Sequence, residues 1–311
     1  MTIRLPGSAP ALSISGATVG NLGLFIVMSF IWGATWAAVK VGIMAVPPIF
    51  FAGLRYALVS AMLVFVVSDV REAFSRACVG RTLLSGTLVN VGTYSFLFWG
   101  MQFVGSGVSG LINLSLIPVG LFGLSVLVGD EEPRWRYLVA LALGAGGLVV
   151  LFSGKASLAG SSTELLGAAA IVVATFCYCL GTVLSRPLLR SLTPLQLTGA
   201  QAIVGGFGLL VLAAVLEPLS LDTLRVLVSP APLAALLFLA IFGTVAAYTI
   251  YLRLVRDWGA PRAGLYSFVS PIVALTIGWI LFGEPVGWRE VGGAAIMLAA
   301  ASLALKQGNS E

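Results

Sequence analysis

Gly107-Val108-Ser109-Gly110 has the GxSG spacing of intramembrane serine proteases, and Ser153-Gly154-Lys155-Ala156 has the form of the end of a phosphate-binding loop. Neither set can do that chemistry here. A serine nucleophile needs a base to take its proton, and the chain has no histidine. A phosphate loop needs a glycine where Val149 stands and a hydroxyl after its lysine, where Ala156 stands. Cys177 and Cys179, two apart on a helix, point about 200° from each other and cannot hold one metal from that helix alone; with Cys78 they are expected to be small buried apolar residues. The acids Asp69, Glu72, Asp130, Glu131, Glu132, Glu164, Glu217, Asp222, Asp257, Glu284, Glu290 and Glu311 all fall in connections or at the ends of apolar stretches. Carboxylates or histidines within the spans are the usual parts of a proton relay, and none is placed there. The sequence therefore predicts no enzyme, no cofactor and no metal site. What remains is the chemistry of binding.

Arg55 is the one ionisable residue, tyrosine and cysteine apart, placed well inside an apolar stretch. About seven residues past Pro48, it lies roughly 10 Å from the outer end of its helix. A cation there attracts a substrate carboxylate, binds backbone carbonyls at a gate, or snorkels to the surface. Polar side chains four apart mark inward faces: Asn90 with Tyr94, Ser109 with Asn113, Thr244 with Tyr248, Tyr266 with Ser270, and further along Thr175, Tyr178 and Thr182, then Thr198 and Gln201. Each has a competing role as a hydrogen-bonded link between packed helices, worth about 0.6–2 kcal/mol. Trp32 and Trp36 share a face, and Tyr94, Phe98 and Trp99 crowd another helix. Such rings suit flat apolar or cationic substrates. Pro118 and Pro271 fall mid-stretch, where a missing backbone hydrogen bond lets a helix bend.

The elements that must position these residues are transmembrane helices. Hydrophobic residues make up 59% of the 311-residue chain and charged residues 9%, with mean hydropathy +1.05, which excludes a soluble globular domain. The fold class is an all-α polytopic membrane protein with spans near 21–41, 48–68, 82–102, 107–128, 135–152, 165–185, 195–216, 233–252, 262–282 and 289–305. Each holds roughly 20 residues, enough for a hydrocarbon core of about 30 Å. Between Leu138 and Phe152, and between Val291 and Leu305, the only polar side chain is Ser302, so helices 5 and 10 are expected to face lipid or a partner subunit, as in a homodimer. Ala140 with Gly144, and Ala295 with Ala299, have the spacing of close helix contacts.

Cations set the orientation. With the N-terminus in the cytoplasm, that side carries Arg4, Arg71, Arg76, Arg81, Arg134, Arg136, Arg186, Arg190, Arg253, Arg256, Arg262 and Lys306, against Lys40, Lys155, Arg225 and Arg289 on the other. Both termini are therefore expected in the cytoplasm. The net charge of +5 reflects this topology and implies no nucleic-acid partner.

The five spans of one half echo the five of the other. Aligning Trp32 with Tyr178 also aligns Lys40 with Arg186, Pro48 with Pro194 and Arg55 with Gln201. Further on, Tyr94 matches Tyr248, Gly105 matches Gly259, Pro118 matches Pro271, Glu131 matches Glu284 and Trp135 matches Trp288. Five is odd, so the copies are inverted, which is how many transporters place a substrate site at mid-bilayer. The expected organisation is a tail over 1–20, repeats over 21–152 and 165–305 forming one membrane domain, and a tail over 306–311.

Trp32-Gly33-Ala34-Thr35-Trp36 leading to Lys40, Arg55 in the next span, and the turns Gly129 to Glu131 and Gly283-Glu284 are similar to the drug/metabolite transporter superfamily. Within it the chain resembles ten-helix EamA-type exporters over 21–305, and in general pattern the YddG type that handles aromatic amino acids. Cys177-Tyr178-Cys179-Leu180 departs from the Trp-Gly signature in the second copy. The resemblance implies a bacterial inner-membrane exporter of small metabolites such as amino acids. The expected site lies at mid-bilayer, lined by Trp32, Trp36, Asn90, Tyr94, Trp99, Asn113, Tyr178, Gln201, Tyr248, Tyr266 and Ser270, with Arg55 as anchor or gate and Pro118 and Pro271 as hinges. Alternating access without obligatory proton coupling is the expected mechanism; a channel for small neutral solutes and an ion-coupled drug exporter are the alternatives.

Overall fold

Thr193 and Pro194 show how this sequence starts a helix. The Thr193 hydroxyl accepts the Gln196 N–H at 3.2 Å, the Gln196 carboxamide oxygen accepts the Thr193 N–H at 2.8 Å, and Pro194 sits where no N–H is needed. Ser161 caps another helix through the Glu164 N–H. In the computed structural model, which describes residues 15–67, 69–104, 106–153, 161–282 and 286–306, the apolar stretches form α1 (Ser15–Ala45), α2 (Pro48–Val66), α3 (79–100), α4 (Ser106–Leu127), α5 (Trp135–Phe152), α6 (Ser162–Ser185), α7 (Pro194–Leu216), α8 (230–258), α9 (Tyr266–Phe282) and α10 (Trp288–Lys306). No strand occurs among the described residues. Eight of these helices, among the described residues, are long and apolar enough to cross a membrane; α3 and the 17-residue α9 are the other two. Gly105, Lys155, Gly283-Glu284 and most of both tails lie outside the described residues.

Side-chain contacts show that the halves run in opposite senses. At one end Asn21 donates to the Asp257 carboxylate at 3.4 Å, Gln196 donates to Glu72 at 3.4 Å, and Arg186 pairs with Asp130 at 3.1 Å. These gather the start of α1, the α2–α3, α4–α5 and α6–α7 connections and the end of α8 at a basic end. At the opposite end α6 begins beside the end of α3, where Gly100 and Gly167 let the two backbones meet. Thus α1 starts at the basic end and α6 at the other. An odd number of helices in each half gives this inversion.

Glu217, at the end of α7, clamps that opposite end by accepting the Ile49 N–H at 2.8 Å and the Phe50 N–H at 2.7 Å, so it caps α2 from another helix. A carboxylate at a helix N-terminus meets both free donors and the positive end of the dipole. Glu217→Ala should therefore lower stability by about 1–2 kcal/mol. The measurement is the melting temperature of detergent-purified protein, with Glu217→Gln recovering part of the loss; an unchanged melting temperature for the alanine variant would show that water replaces the cap.

The helices pack in pairs that cross-link the halves: α2 with α7, α4 with α6, α1 with α9 and α5 with α10. The α5–α10 crossing runs through Gly147 and Gly293, where a Cβ on Gly293 would come within 2.7 Å of the Gly147 carbonyl oxygen. Ala140 and Gly144 are buried, Gly144 against the Phe268 ring of α9, whereas Ala295 and Ala299 lie on an exposed face and take no part in the crossing. Alanine spacing alone did not reveal which side of α10 meets its neighbour.

Two stretches depart from α geometry, Thr87–Gly92 in α3 and Leu239–Ala246 in α8. Both are π-turns, which widen the helix by one residue and are common at functional sites. In each a threonine hydroxyl follows the wider path: Thr93 donates to the Leu88 carbonyl at 3.0 Å and Thr244 to the Leu239 carbonyl at 3.1 Å, five residues back. Pro118 and Pro271 are buried within α4 and α9, which run on through them. The irregular backbone lies one helix earlier in each half.

Candidate functional site

Gly33 brings α1 against α9 so closely that a Cβ there would stand 2.8 Å from the Ser270 carbonyl oxygen and 2.6 Å from the Val273 Cβ. Ser270 closes the contact by donating to the Ser29 carbonyl at 3.2 Å. This approach seats the Trp32 indole on the Tyr266 ring, with centroids 4.3 Å apart, and 5.2 Å from Tyr251. Tyr251 is the hub of the cluster. Fully buried, it has Tyr178 at 6.0 Å, Tyr248 at 5.9 Å and Tyr266 at 5.8 Å around it. The Tyr266 hydroxyl reaches the Tyr178 hydroxyl at 3.2 Å. Residues from α1, α6, α8 and α9 thus meet in one aromatic block containing four of the expected site residues, Trp32, Tyr178, Tyr248 and Tyr266. Sequence reading missed Tyr251, although its position three residues after Tyr248 puts both on one face.

The departure at Cys179 has a structural reason. Gly33 packs on the Ser270 carbonyl beside Pro271; in the other half the Cys179 thiol, at the place matching Gly33, lies 3.5 Å from the Ile117 carbonyl beside Pro118. The second copy fills with a small soft side chain, 0% exposed, the contact that the first leaves to hydrogen.

Arg55 forms a second node. Its Nε donates to the Thr244 hydroxyl at 2.7 Å and its Nη1 to the Tyr94 hydroxyl at 3.4 Å, while the guanidinium carbon lies 5.2 Å from the Tyr56 ring centre and 5.8 Å from that of Tyr94. At 8% exposure it does not snorkel. Tyr94 in turn packs on Tyr56 and Phe98, at 5.6 and 5.4 Å. The α8 π-turn joins the two nodes. The Gly243 carbonyl accepts the Trp32 indole N–H at 3.0 Å, and the next residue, Thr244, accepts from Arg55.

Gln201 makes a third node, entirely of neutral groups. Its carboxamide nitrogen donates to the hydroxyls of Ser85 at 2.9 Å and Ser185 at 2.8 Å, and its oxygen accepts the Tyr248 hydroxyl at 2.6 Å. Asn90 donates to the Gln201 backbone carbonyl at 2.8 Å and packs against Gly205, leaving its own oxygen buried without a partner among the described residues. Asn113 donates to the Thr175 hydroxyl at 3.0 Å, tying α4 to α6. Trp36 and Trp99, 37% and 44% exposed, stand apart from these nodes; Trp99 packs on Phe103. The polar residues mark inward faces, but most spend their bonds on neighbouring helices.

Ten long helices among the described residues, in two opposed halves with aromatic and polar side chains from both meeting between them, have the build of a multi-pass membrane transporter. The sequence profile of the EamA-like transporter family matches the chain twice, over residues 20–153 and 165–306, and the chain belongs to that family. It is similar to the probable amino-acid metabolite efflux pump of Salmonella typhimurium (strain LT2), 27% identical over 288 residues that cover 90% of this chain and 92% of that one. The uncharacterized transporter YoaV of Bacillus subtilis (strain 168) is 25% identical over 276 residues, covering 88% and 92%. The uncharacterized inner membrane transporter YedA of Escherichia coli (strain K12) is 25% identical over 280 residues, covering 87% and 86%. A solved crystal structure superposes with TM-score 0.76 over 94% of this chain and 98% of the other at 16% identity, a likeness of fold.

Proposed function

We propose that this transporter exports amino acids across the bacterial inner membrane, with aromatic ones favoured, by alternating access and without obligatory proton coupling. One observation carries the reading: adjacent residues near the middle of α8, in its π-turn, hold an indole from α1 and a guanidinium from α2. An aromatic amino acid has the matching pair of groups. A relative named as a probable amino-acid metabolite efflux pump supports the substrate class. The absence of proton coupling rests on the sequence, whose acids all lie at span ends or in connections. The basic end faces the cytoplasm in this reading, following the distribution of arginines.

The test is counterflow in liposomes. Vesicles containing the purified protein and loaded with unlabelled phenylalanine should take up labelled phenylalanine with ionophores holding pH and potential equal on both sides. Counterflow that vanishes under those conditions, or a pH gradient that alone concentrates phenylalanine, would falsify the uncoupled mechanism. Uptake of phenylalanine no faster than in empty vesicles would remove the substrate assignment.

A further inference from the structure

Arg55 is not used up by the protein around it. A guanidinium offers five N–H donors; the Nε bond to Thr244 is short, the Nη1 bond to Tyr94 at 3.4 Å is near the limit of a hydrogen bond, and Nη2 has no acceptor among the described residues. None of the described carboxylates pairs with it. The faces of Tyr56 and Tyr94 offset the loss of water only in part. A buried cation left so incomplete is costly unless an anion joins it.

Two features argue that the charge is there for a ligand. In the other half, the place of Arg55 is taken by Gln201, which ties α7 to α3, α6 and α8 with neutral bonds only. Holding helices together at this position therefore does not require a cation. Gly243, for its part, lets α8 pack closely beside the guanidinium: a Cβ there would stand 3.6 Å from Nη2 and 3.1 Å from the Thr35 methyl, and its carbonyl is already taken by Trp32.

We propose that Arg55 receives the carboxylate of the substrate, through Nη2 and the free Nη1 hydrogen, so the substrates are small monocarboxylates whose apolar part lies against Trp32. An amino group is not required, and decarboxylated amines are not carried. The transport readout rests on the exporter reading above; binding does not.

Two measurements on the full-length protein test it. In the first, melting temperature is followed with L-phenylalanine, 3-phenylpropionate and phenethylamine, which differ only in which charged groups they carry. The two carboxylates should raise it in the wild type and the amine should not. Arg55→Gln should weaken both carboxylates by about 10- to 100-fold, the worth of a charged hydrogen-bonded pair, while Arg55→Lys keeps the preference at reduced affinity. In the second, counterflow of the same three compounds is compared. Equal carriage of phenethylamine and phenylalanine would overturn the carboxylate site and leave the exporter standing. Carboxylate binding lost in Arg55→Gln, with no flux in the wild type, would keep the site and remove the exporter. Should Arg55→Gln not fold, the wild-type comparison of acid and amine still decides, and Gly243→Ala, whose methyl would stand against Nη2, should lower carboxylate affinity without affecting charge.

Discussion

Replacing Gln201 by leucine should cost the fold roughly 2–4 kcal/mol. The side chain of this fully buried residue satisfies three hydroxyls on three helices, those of Ser85, Ser185 and Tyr248. Leucine takes away the acceptor of the buried Tyr248 hydroxyl and the donor to Ser85 and Ser185, which keep their own bonds to the Thr82 and Gly181 carbonyls. An interhelical hydrogen bond in a membrane protein averages only about 0.6 kcal/mol because the unfolded state finds substitutes; stranding a buried polar group costs about 1–3 kcal/mol. The estimate lies between those limits for a group with three partners. Unfolding in a denaturing detergent, compared with a Gln201→Glu variant that keeps the acceptor for Tyr248, measures it. A loss under about 1 kcal/mol would mean that the Tyr248 hydroxyl finds another acceptor and that Ser85 and Ser185 do without the donor.

Trp32→Ala should reduce counterflow per folded molecule by about 100-fold, and Trp32→Phe by about tenfold. Alanine removes the surface that packs on Tyr266 and Tyr251; phenylalanine retains most of it and loses the N–H that holds the Gly243 carbonyl. The comparison separates stacking from positioning of the α8 π-turn. Flux must be normalised to protein that elutes as a single species, since an emptied aromatic block also lowers stability. Normal transport by both variants, together with loss in variants of the 153–161 connection, would move the site away from the helix cluster.

Much of this architecture is legible from composition and period. Runs of apolar residues place the helices to within a few positions, and the four-residue spacing of Asn90 and Tyr94, or of Thr244 and Tyr248, selects the faces that turn inward. Local pattern cannot say what an inward residue meets. Gln201 reads as a cavity residue until Ser85, Ser185 and Tyr248, on three other helices, are seen to use up its bonds. Glu217 reads as a loop acid and proves to be the cap of a helix that begins 169 residues earlier, at Pro48. The π-turns have no sequence marker comparable to proline, because the wider winding in α3 and α8 comes from packing and from threonine hydroxyls bonded five residues back. Prolines drew the expectation of hinges to α4 and α9, whose helices run on unbroken. Tyr251 was missed because it falls at the end of the expected span 233–252, although it shares a face with Tyr248.

Arg55 and Gln201 stand at matched places in α2 and α7, and under the alternating access proposed above their difference bears on the balance of the transport cycle. Two identical inverted halves would relate the form open to one face to the form open to the other by a two-fold rotation about an axis in the membrane plane, and the two would be equally populated without a membrane potential. A charged node in one half and a neutral one in the other remove that degeneracy, since opening each face breaks a different set of bonds. Every 1.4 kcal/mol of difference shifts the resting population tenfold. Such a bias cannot concentrate substrate, because detailed balance fixes the final distribution whatever the barrier heights. It decides which side the empty carrier waits on, and makes the half-saturating concentrations on the two sides of one membrane unequal.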